Sequence, residues 1–323
     1  MATVPHFEVV PDWERLPAGY RHGDVVGAAV DSRDRVFMLT RHDARCLVFD
    51  ADGTFLYSFG DDIFSAFIHA LTIDEEDFLF VVDAGDHTVR KFTLEDELQM
   101  TLGTPGVPSD TGYDGEATAS IERMGPPFNR PTKTAIAPNG DIYVSDGYGN
   151  ARIHRFSPEG KLLASWGELG SGPGQFNVPH ALWVAGDRVL VADRENDRIH
   201  TFSLDGEFLE IWDHIQRPTD LYVDKQGLPY IVTLPWRAGA SELGGPVQRY
   251  SLPGGVYVLD LDGNVLVHWA HADAWAPGSF IAPHAITADS RGDIYVGEVM
   301  WTYGVRNGYV LDSCHTVQKF ARL

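Results

Sequence analysis

A unit of four short strands is repeated six times along this 323-residue chain, and it limits the folds that the chain can adopt. Two neighbouring copies read RPTKTAIAPNGDIYVSDGYGNARIHRFSPEGKLLASWG and VPHALWVAGDRVLVADRENDRIHTFSLDGEFLEIW. Apolar residues alternate along each stretch, as in half-buried strands, and Asn139-Gly140 and Asp205-Gly206 are typical of hairpin turns. Units of about 40 residues with four strands are typical of propeller blades. The repeat therefore predicts an all-β fold, a six-bladed β-propeller.

The first strands of the six copies align at one position, and the spacing between copies locates three insertions. The aligned residues are Val26, His69, Thr132, His180, Thr219 and His284. The longer intervals require insertions at about 102–130, 233–255 and 299–313. The sixth copy ends at Leu323 before its fourth strand, and Phe7-Glu8-Val9-Val10 precedes the first copy. We predict that this N-terminal strand completes the last blade, so that residues 1–323 form a single propeller domain without a long free edge.

Histidine occupies the aligned position in the second, fourth and sixth copies. The three contexts are Ile68-His69-Ala70, Pro179-His180-Ala181 and Pro283-His284-Ala285. In a ring of six blades, alternate copies place three imidazoles about 120° apart around the central axis. A single histidine is more often structural, but three at one repeat position are difficult to explain by packing. Because three imidazoles with an open fourth position are typical of catalytic zinc sites, we predict a metal site with zinc as the expected ion and iron as an alternative.

The end of each second strand lies on the same rim as the histidines, because neighbouring strands of a blade are antiparallel. Tyrosine and arginine there are suited to catalysis, since a phenolate can act as a base and a guanidinium binds a carboxylate. The candidate catalytic residues are Arg41, Tyr148 and Arg194. Candidates for substrate contact are Glu298 on this rim and, in the insertions, Trp236, Arg237, Trp301 and Tyr303. Aspartate recurs at the same repeat position, which favours turn capping over catalysis, at Asp83, Asp146 and Asp193.

Composition and the N-terminal sequence give predictions about the partners of this chain and its cellular compartment. The formal net charge of −21 argues against nucleic acid and against an anionic membrane surface, since both require clustered basic residues. The N-terminal MATVPHFEVVPDW has no signal-peptide pattern, and no apolar run reaches the roughly 20 residues that span a membrane. Cys46 and Cys314 match no metal or redox spacing, and we expect buried free thiols. These features predict a cytoplasmic protein, and we expect it to be a monomer or weak homo-oligomer.

Three phrases in the middle of the chain resemble a known family. SDGYGNARI, GQFNVPH and ADREN are similar to NHL-repeat propellers, and specifically to the peptidyl-α-hydroxyglycine α-amidating lyases, most densely over residues 131–202. The resemblance implies a zinc-dependent lyase that cleaves the C–N bond of an N-acyl-α-hydroxyglycine to release a primary amide and glyoxylate. It thereby implies a small-molecule or short peptidyl substrate. It also implies that zinc lies on His69, His180 and His284. The phenol of Tyr148 would then remove the hydroxyl proton, beside the family's two active-site arginines, Arg41 and Arg194.

The chain departs from this family at the third histidine. The animal enzymes have Met-Pro-His-Asp where this chain has Ala282-Pro283-His284-Ala285. That aspartate helps to bind a structural calcium, so a calcium site is not predicted for this chain.

Two other classes of function fit the same repeat. One is a metal-dependent propeller hydrolase of the lactonase type, with Glu298 as its base, and the other is a non-catalytic NHL binding platform.

Overall fold

Six sheets of four antiparallel strands form the described parts of the chain, which are residues 5–42, 45–271 and 273–323 of the computed structural model. The first strand of each sheet contacts the first strand of the next, and the first strand of the sixth sheet contacts that of the first. The sheets are therefore arranged in a closed ring. The predicted all-β, six-bladed propeller is confirmed.

The first half of the ring follows the order of the sequence. The earliest strand is β1 (Phe7–Val10). Blade one contains β2 (Val25–Val30), β3 (Val36–Thr40), β4 (Cys46–Phe49) and β5 (Phe55–Phe59). Blade two contains β6 (Ile68–Ile73), β7 (Leu79–Asp83), β8 (Thr88–Phe92) and β9 (Leu98–Gly103). Blade three contains β10 (Lys133–Ile136), β11 (Ile142–Asp146), β12 (Arg152–Phe156) and β13 (Leu162–Trp166).

The second half has the same order except in the last blade. Blade four contains β14 (Pro179–Ala185), β15 (Arg188–Asp193), β16 (Arg198–Ser203) and β17 (Phe208–Asp213). Blade five contains β18 (Pro218–Val223), β19 (Pro229–Thr233), β20 (Gly255–Leu259) and β21 (Val265–Trp269). Blade six contains β22 (Pro283–Ala288), β23 (Ile294–Glu298), β24 (Val317–Arg322) and, as its outer strand, β1.

The pairing of β1 with β24 closes the ring as predicted. The two strands are antiparallel, with Phe7 opposite Arg322 and Val9 opposite Phe320. Phe320 is 3% exposed, and its ring lies 5.7 Å from that of Phe280. The N-terminal strand thus covers an edge that would otherwise expose unpaired backbone groups.

Burial falls from the axis of the ring to its outside, and the sequence of each strand reflects this. The inner strand β6 reads IHALTI and is buried over its first five residues, whereas the outer strand β17 reads FLEIWD and starts with two exposed residues. The apolar core lies between adjacent blades. One cluster, for example, joins Tyr143 and Ile153 of blade three to Leu182 and Val189 of blade four.

Three insertions interrupt the regular blades, and all three lie on one rim of the ring. The first lies between β9 and β10 and contains a 3₁₀ turn at Thr118–Ser120. The second separates β19 from β20, and the third separates β23 from β24 and contains a π-helical turn at Trp301–Val305. Each begins where a strand reaches the rim on which the inner strands start, because strands alternate in direction within a blade. In the described parts of the chain, no helix is long and apolar enough to cross a membrane.

Ring closure through β1 and β24 predicts a large stability effect at Phe320. Phe320→Ala is expected to lower the free energy of unfolding by about 3–5 kcal/mol, because the substitution leaves a cavity between the last strands. Leu323→Ala is the control, since that side chain is 78% exposed and the expected change is within about 0.5 kcal/mol. Denaturant unfolding measures both values. Similar small effects from the two substitutions would contradict the role given to this closure.

Candidate metal centre and active site

His69, His180 and His284 meet on the axis of the ring. Each is the second residue of an inner strand, in β6, β14 and β22. Their ring centroids lie 4.7, 5.1 and 4.8 Å apart. Among the described residues, they form a cluster of potential metal ligands whose ligand atoms all lie within 4.8 Å of one another. The structure therefore brings together the three histidines that the repeat placed in alternate blades.

Each of these imidazoles is oriented by the backbone of the next blade. The Nδ1 atom of His69 lies 2.7 Å from the carbonyl oxygen of Thr132, that of His180 lies 2.6 Å from Thr219, and that of His284 lies 3.0 Å from Val26. A carbonyl can only accept a hydrogen bond, so Nδ1 carries the proton in all three rings. Each Nε2 then carries the lone pair through which an imidazole binds a metal.

A second set of hydrogen bonds fixes the carbonyl that precedes each histidine. The hydroxyl of Thr132 donates to Pro179 (2.8 Å), and the hydroxyl of Thr219 donates to Pro283 (2.9 Å). Blade one has Val26 at the equivalent position, which has no hydroxyl group. There the Nε of Arg41 donates instead to the carbonyl of Ile68 (3.0 Å). One side of the centre is thus anchored by an arginine that also faces the site.

The environment keeps the three imidazoles neutral. Burial lowers the pKa of His69, His180 and His284 well below the ordinary value. The nearby charge of Arg194 acts in the same direction on all three, and that of Arg41 does so on His69 and His284. Neutral imidazole is the form that binds a metal. The donor set, the tautomers and the charge state all fit a zinc ion.

Tyr148 lies against this centre because glycines on both sides let its loop pass close to other backbone. A Cβ atom on Gly147 would lie 2.4 Å from the carbonyl oxygen of Pro179, and one on Gly149 would lie 2.5 Å from the Oδ1 of Asn129. The Tyr148 hydroxyl lies 3.0 Å from the Nε2 of His69 and 3.2 Å from the Nε2 of His180. One phenolic proton cannot satisfy two nitrogen lone pairs, so this electron-rich cluster suits a bound cation.

Arg194 connects Tyr148 to a buried network of charges. Its Nη1 lies 3.4 Å from the Tyr148 hydroxyl, and its Nε donates to Glu195 (2.7 Å). The same Glu195 oxygen accepts a hydrogen bond from the Nη2 of Arg217 (3.0 Å). Burial opposes the ionised carboxylate, but the two guanidiniums lower the pKa of Glu195 overall. Glu195 therefore compensates two buried cations.

Sequence reasoning missed Glu195 and Arg217. Arg217 is 1% exposed, and its guanidinium lies 4.4 Å from the ring of Trp236. The sequence feature that could have identified Glu195 as a site residue is its place directly after Arg194 in ADREN. Arg217 precedes the first strand of blade five in IQRPTD, as Arg130 precedes that of blade three in NRPTK, and this shared position did not show that Arg217 reaches the site.

Arg41 presents an open hydrogen-bonding group on the other side of the centre. Its guanidinium lies 4.6 Å from the ring of Phe67, and its Nη1 is 3.9 Å from the carboxylate of Asp24. Its Nη2 is buried and has no hydrogen-bond partner among the described residues. A buried donor without a partner is costly, so this geometry suits an anionic group of a substrate.

The residues predicted in the insertions divide into two groups. The Tyr303 hydroxyl donates to Glu242 (3.2 Å) and lies 3.5 Å from the Nη2 of Arg217, so it belongs to the network around Arg194. Trp236 contacts the same network, because its ring packs against the guanidinium of Arg217. In contrast, Trp301 is 43% exposed, and Arg237 lies over the ring of Tyr309 at 3.9 Å.

The acidic residues at the ends of the second strands hold the loops that enter the inner strands. Their carboxylates accept backbone N–H groups of Ser65, Asn129, Asn177 and Ile281 at 2.6–3.0 Å, and the carboxylates belong to Asp83, Asp146, Asp193 and Glu298. This agrees with turn capping at the three aspartates. Glu298 also accepts from the backbone N–H of Ala282 and lies 3.2 Å from His315. The structure places Glu298 in a capping role, behind the strand that carries His284.

The residues around His284 do not fit a calcium ion. Ala285 offers no ligand side chain, and the nearby carboxylate of Asp220 accepts a hydrogen bond from the backbone N–H of Ile286 (3.1 Å). The same Asp220 oxygen is paired with the ammonium group of Lys133 at 3.0 Å, and both side chains are buried. A hard cation requires several free oxygen ligands, whereas this carboxylate is already neutralised.

The network predicts that Glu195 is important for stability. Glu195→Gln removes the carboxylate that Arg194 and Arg217 share and leaves Arg217 only the more distant Glu242 at 3.9 Å. The variant is expected to lower the free energy of unfolding by about 3–5 kcal/mol. Glu207→Gln is the matched control, because Glu207 is exposed and a change within about 0.5 kcal/mol is expected there. Denaturant unfolding of both variants tests this. Equal stability of Glu195→Gln and the parent chain would show that Glu195 does not compensate these charges.

Comparisons with known proteins agree with this fold. Residues 128–156 match the NHL repeat family model. The streptogramin B lyase structure aligns with a TM-score of 0.60 at 12% identity, over 99% of this chain and 98% of that one, which supports the propeller fold alone.

Two relatives are similar in sequence. The peptidyl-α-hydroxyglycine α-amidating lyase 1 of Drosophila melanogaster is 33% identical over 268 residues, which are 77% of this chain and 46% of that protein. The NHL repeat-containing protein 3 of Homo sapiens is 34% identical over 196 residues, which are 57% of this chain and 53% of that protein. The chain thus spans about half the length of these relatives. It is an NHL-repeat six-bladed β-propeller that resembles the peptidyl-α-hydroxyglycine α-amidating lyases.

Proposed function

We propose that this protein is a zinc-dependent lyase that cleaves the C–N bond of an N-acyl-α-hydroxyglycine to give a primary amide and glyoxylate. The observation that carries the proposal is the contact of the Tyr148 hydroxyl with His69 at 3.0 Å and with His180 at 3.2 Å. In this proposal the phenol of Tyr148 is the proton-transfer group, and its contact with the candidate metal ligands supports that role. The similarity to a named lyase of this reaction class supports the same function.

The metal ligands in this proposal are His69, His180 and His284. A zinc ion bound there would supply Lewis-acid chemistry, which favours loss of a proton from a hydroxyl group and formation of a carbonyl. The protein's own contribution is to keep the three imidazoles neutral and correctly oriented, through the backbone carbonyls that accept from Nδ1.

Arg41 binds the carboxylate of the substrate in this proposal. Its buried Nη2 has no hydrogen-bond partner among the described residues, while its Nε is held by the carbonyl of Ile68. One edge of the guanidinium is therefore fixed and another is open, which is suited to orienting a planar anion.

Tyr148 moves the proton. It removes the proton from the α-hydroxyl group, the hydroxyl oxygen forms a carbonyl with the α-carbon, and the C–N bond breaks. The electron pair of that bond goes to the amide nitrogen, which takes the same proton back from Tyr148 to give the primary amide. The Nη1 of Arg194 lies 3.4 Å from the Tyr148 hydroxyl and stabilises negative charge on that phenolic oxygen. Glu195 fixes Arg194 by accepting a hydrogen bond from its Nε.

The contacts of Glu298 do not favour the hydrolase alternative. A hydrolase requires a base that activates water, and Glu298 is instead committed to the backbone N–H groups of Ile281 and Ala282. The low exposure of Tyr148 (8%) and Arg194 (4%) suits an elimination that needs no water.

Cys46 and Cys314 are buried free thiols, which supports a reducing, cytoplasmic compartment.

The assay is glyoxylate release from a synthetic N-acyl-α-hydroxyglycine by zinc-loaded protein. Tyr148→Phe is expected to lower kcat by about 10²–10⁴-fold, because it removes the proton-transfer group. The metal content of this variant should be unchanged, since Tyr148 is not a predicted ligand. Tyr57→Phe, on the outer strand of blade one, is the control and should retain parent activity.

Two results would contradict the proposal. Absence of zinc-dependent glyoxylate release would exclude this reaction. Parent-like kcat in Tyr148→Phe would exclude the role given to the phenol.

A further inference from the structure

We propose that the three insertions form a roof over the metal centre, and that this roof makes the enzyme selective for compact N-acyl-α-hydroxyglycines rather than peptidyl ones. The roof is defined by Thr118, Glu242, Leu243, Thr302 and Tyr303. The inference rests on the proposed lyase function and specifies its substrate class, an acyl group of about the size of acetyl or carbamoyl.

The first and second insertions are joined above the rim. The backbone N–H of Thr118 donates to the carbonyl of Leu243 (3.3 Å). The side chain of Thr118 donates to Asn177 (3.1 Å), in the loop that leads to the strand carrying His180. This end of the roof is therefore tied to blade four.

The second and third insertions are joined by side chains. The Tyr303 hydroxyl donates to Glu242 (3.2 Å), the residue before Leu243. Burial raises the pKa of Tyr303 to about 12, although Arg217 and Arg194 oppose the rise, so the hydroxyl remains a donor at neutral pH. The three insertions thus form one continuous chain of contacts.

The far end of the roof is tied to blade one, directly beside Arg41. Asp24 accepts hydrogen bonds from the backbone N–H of Thr302 (2.9 Å) and from its hydroxyl (2.5 Å). The backbone carbonyl of Asp24 accepts from the N–H of Arg41 (3.1 Å). The roof therefore spans from blade four to blade one, over the blades that carry His180 and His284.

The underside of the roof contacts the proposed catalytic machinery. Tyr303 lies 3.5 Å from Arg217, and Arg217 shares Glu195 with Arg194. Consistent with this cover, the three histidines are only 1%, 1% and 5% exposed. A peptide joined to the substrate nitrogen would have to extend from this covered site. It would therefore have to break contacts of the roof, whereas a short acyl group would not.

The test compares two substrates in the zinc-loaded protein: N-acetyl-α-hydroxyglycine and a tripeptide-length analogue, N-acetyl-tyrosyl-valyl-α-hydroxyglycine. Glyoxylate release gives kcat/KM for each. We expect the compact substrate to be preferred by at least about tenfold.

Two variants separate the roof from other causes of such a preference. Tyr303→Ala and Glu242→Ala each remove the contact between the second and third insertions, and both should raise the kcat/KM of the peptidyl substrate relative to the compact one by about tenfold. Leu311→Ala is the control in the third insertion, because that side chain is 66% exposed, and it should leave the ratio unchanged.

The outcomes are distinguishable. Equal or faster turnover of the peptidyl substrate by the parent protein would overturn the inference and leave the lyase function intact. An unchanged ratio in both roof variants would also overturn it. No glyoxylate from either substrate would overturn the proposed function and this inference with it.

Discussion

The hydrogen bonds from the imidazole Nδ1 atoms to backbone carbonyls of the next blade are the constraint on which the site depends. Each bond joins a histidine of one blade to the aligned residue of its neighbour, so the candidate metal centre depends on closure of the ring. In an open arrangement of blades, His284 would lose the carbonyl of Val26, which comes from the other end of the sequence. Closure of the last blade by β1 therefore contributes directly to the orientation of a metal ligand.

The second constraint is electrostatic. The chain has a formal charge of −21, yet its site is rich in buried guanidinium groups. Arg194 and Arg217 share one carboxylate, that of Glu195. In the described parts of the chain, the carboxylate nearest to Arg41 is that of Asp24, at 3.9 Å. An acidic protein with a cationic interior site is suited to a small anionic substrate, because the local field attracts the anion where it reacts. The same net charge underlies the prediction that the protein does not bind nucleic acid.

Much of the fold and the centre of the site could be predicted from the sequence, because the repeat carries positional information. Alignment of six copies placed His69, His180 and His284 on one axis, and it predicted that Phe7–Val10 completes the last blade. The recurrent acids Asp83, Asp146 and Asp193 were predicted as caps for the same reason. Glu298 stands at the equivalent position, so its capping contacts could have been predicted from this pattern as well.

The repeat pattern did not place every residue of the site. Arg217 stands two residues before Thr219, as Arg130 stands two residues before Thr132, and this shared position did not show which arginine contacts Glu195. The contacts of Glu242 and Tyr303 depend on how two insertions meet. Trp301 and Tyr303 are two residues apart in sequence, yet the π-helical turn leaves Trp301 exposed and directs Tyr303 toward Arg217. The turn, which no periodic pattern marks, decides which of the two aromatic residues reaches the site.

The central claim is that three histidines from alternate blades hold one metal ion. Elemental analysis of protein purified without added metal tests it most directly, with His180→Ala as the variant and exposed His271→Ala as the control. We expect about one zinc ion per chain in the parent protein and in His271→Ala, and a small fraction of that in His180→Ala, since loss of one of three ligands removes most of the affinity. Stoichiometric metal in His180→Ala, or none in the parent protein, would contradict the account.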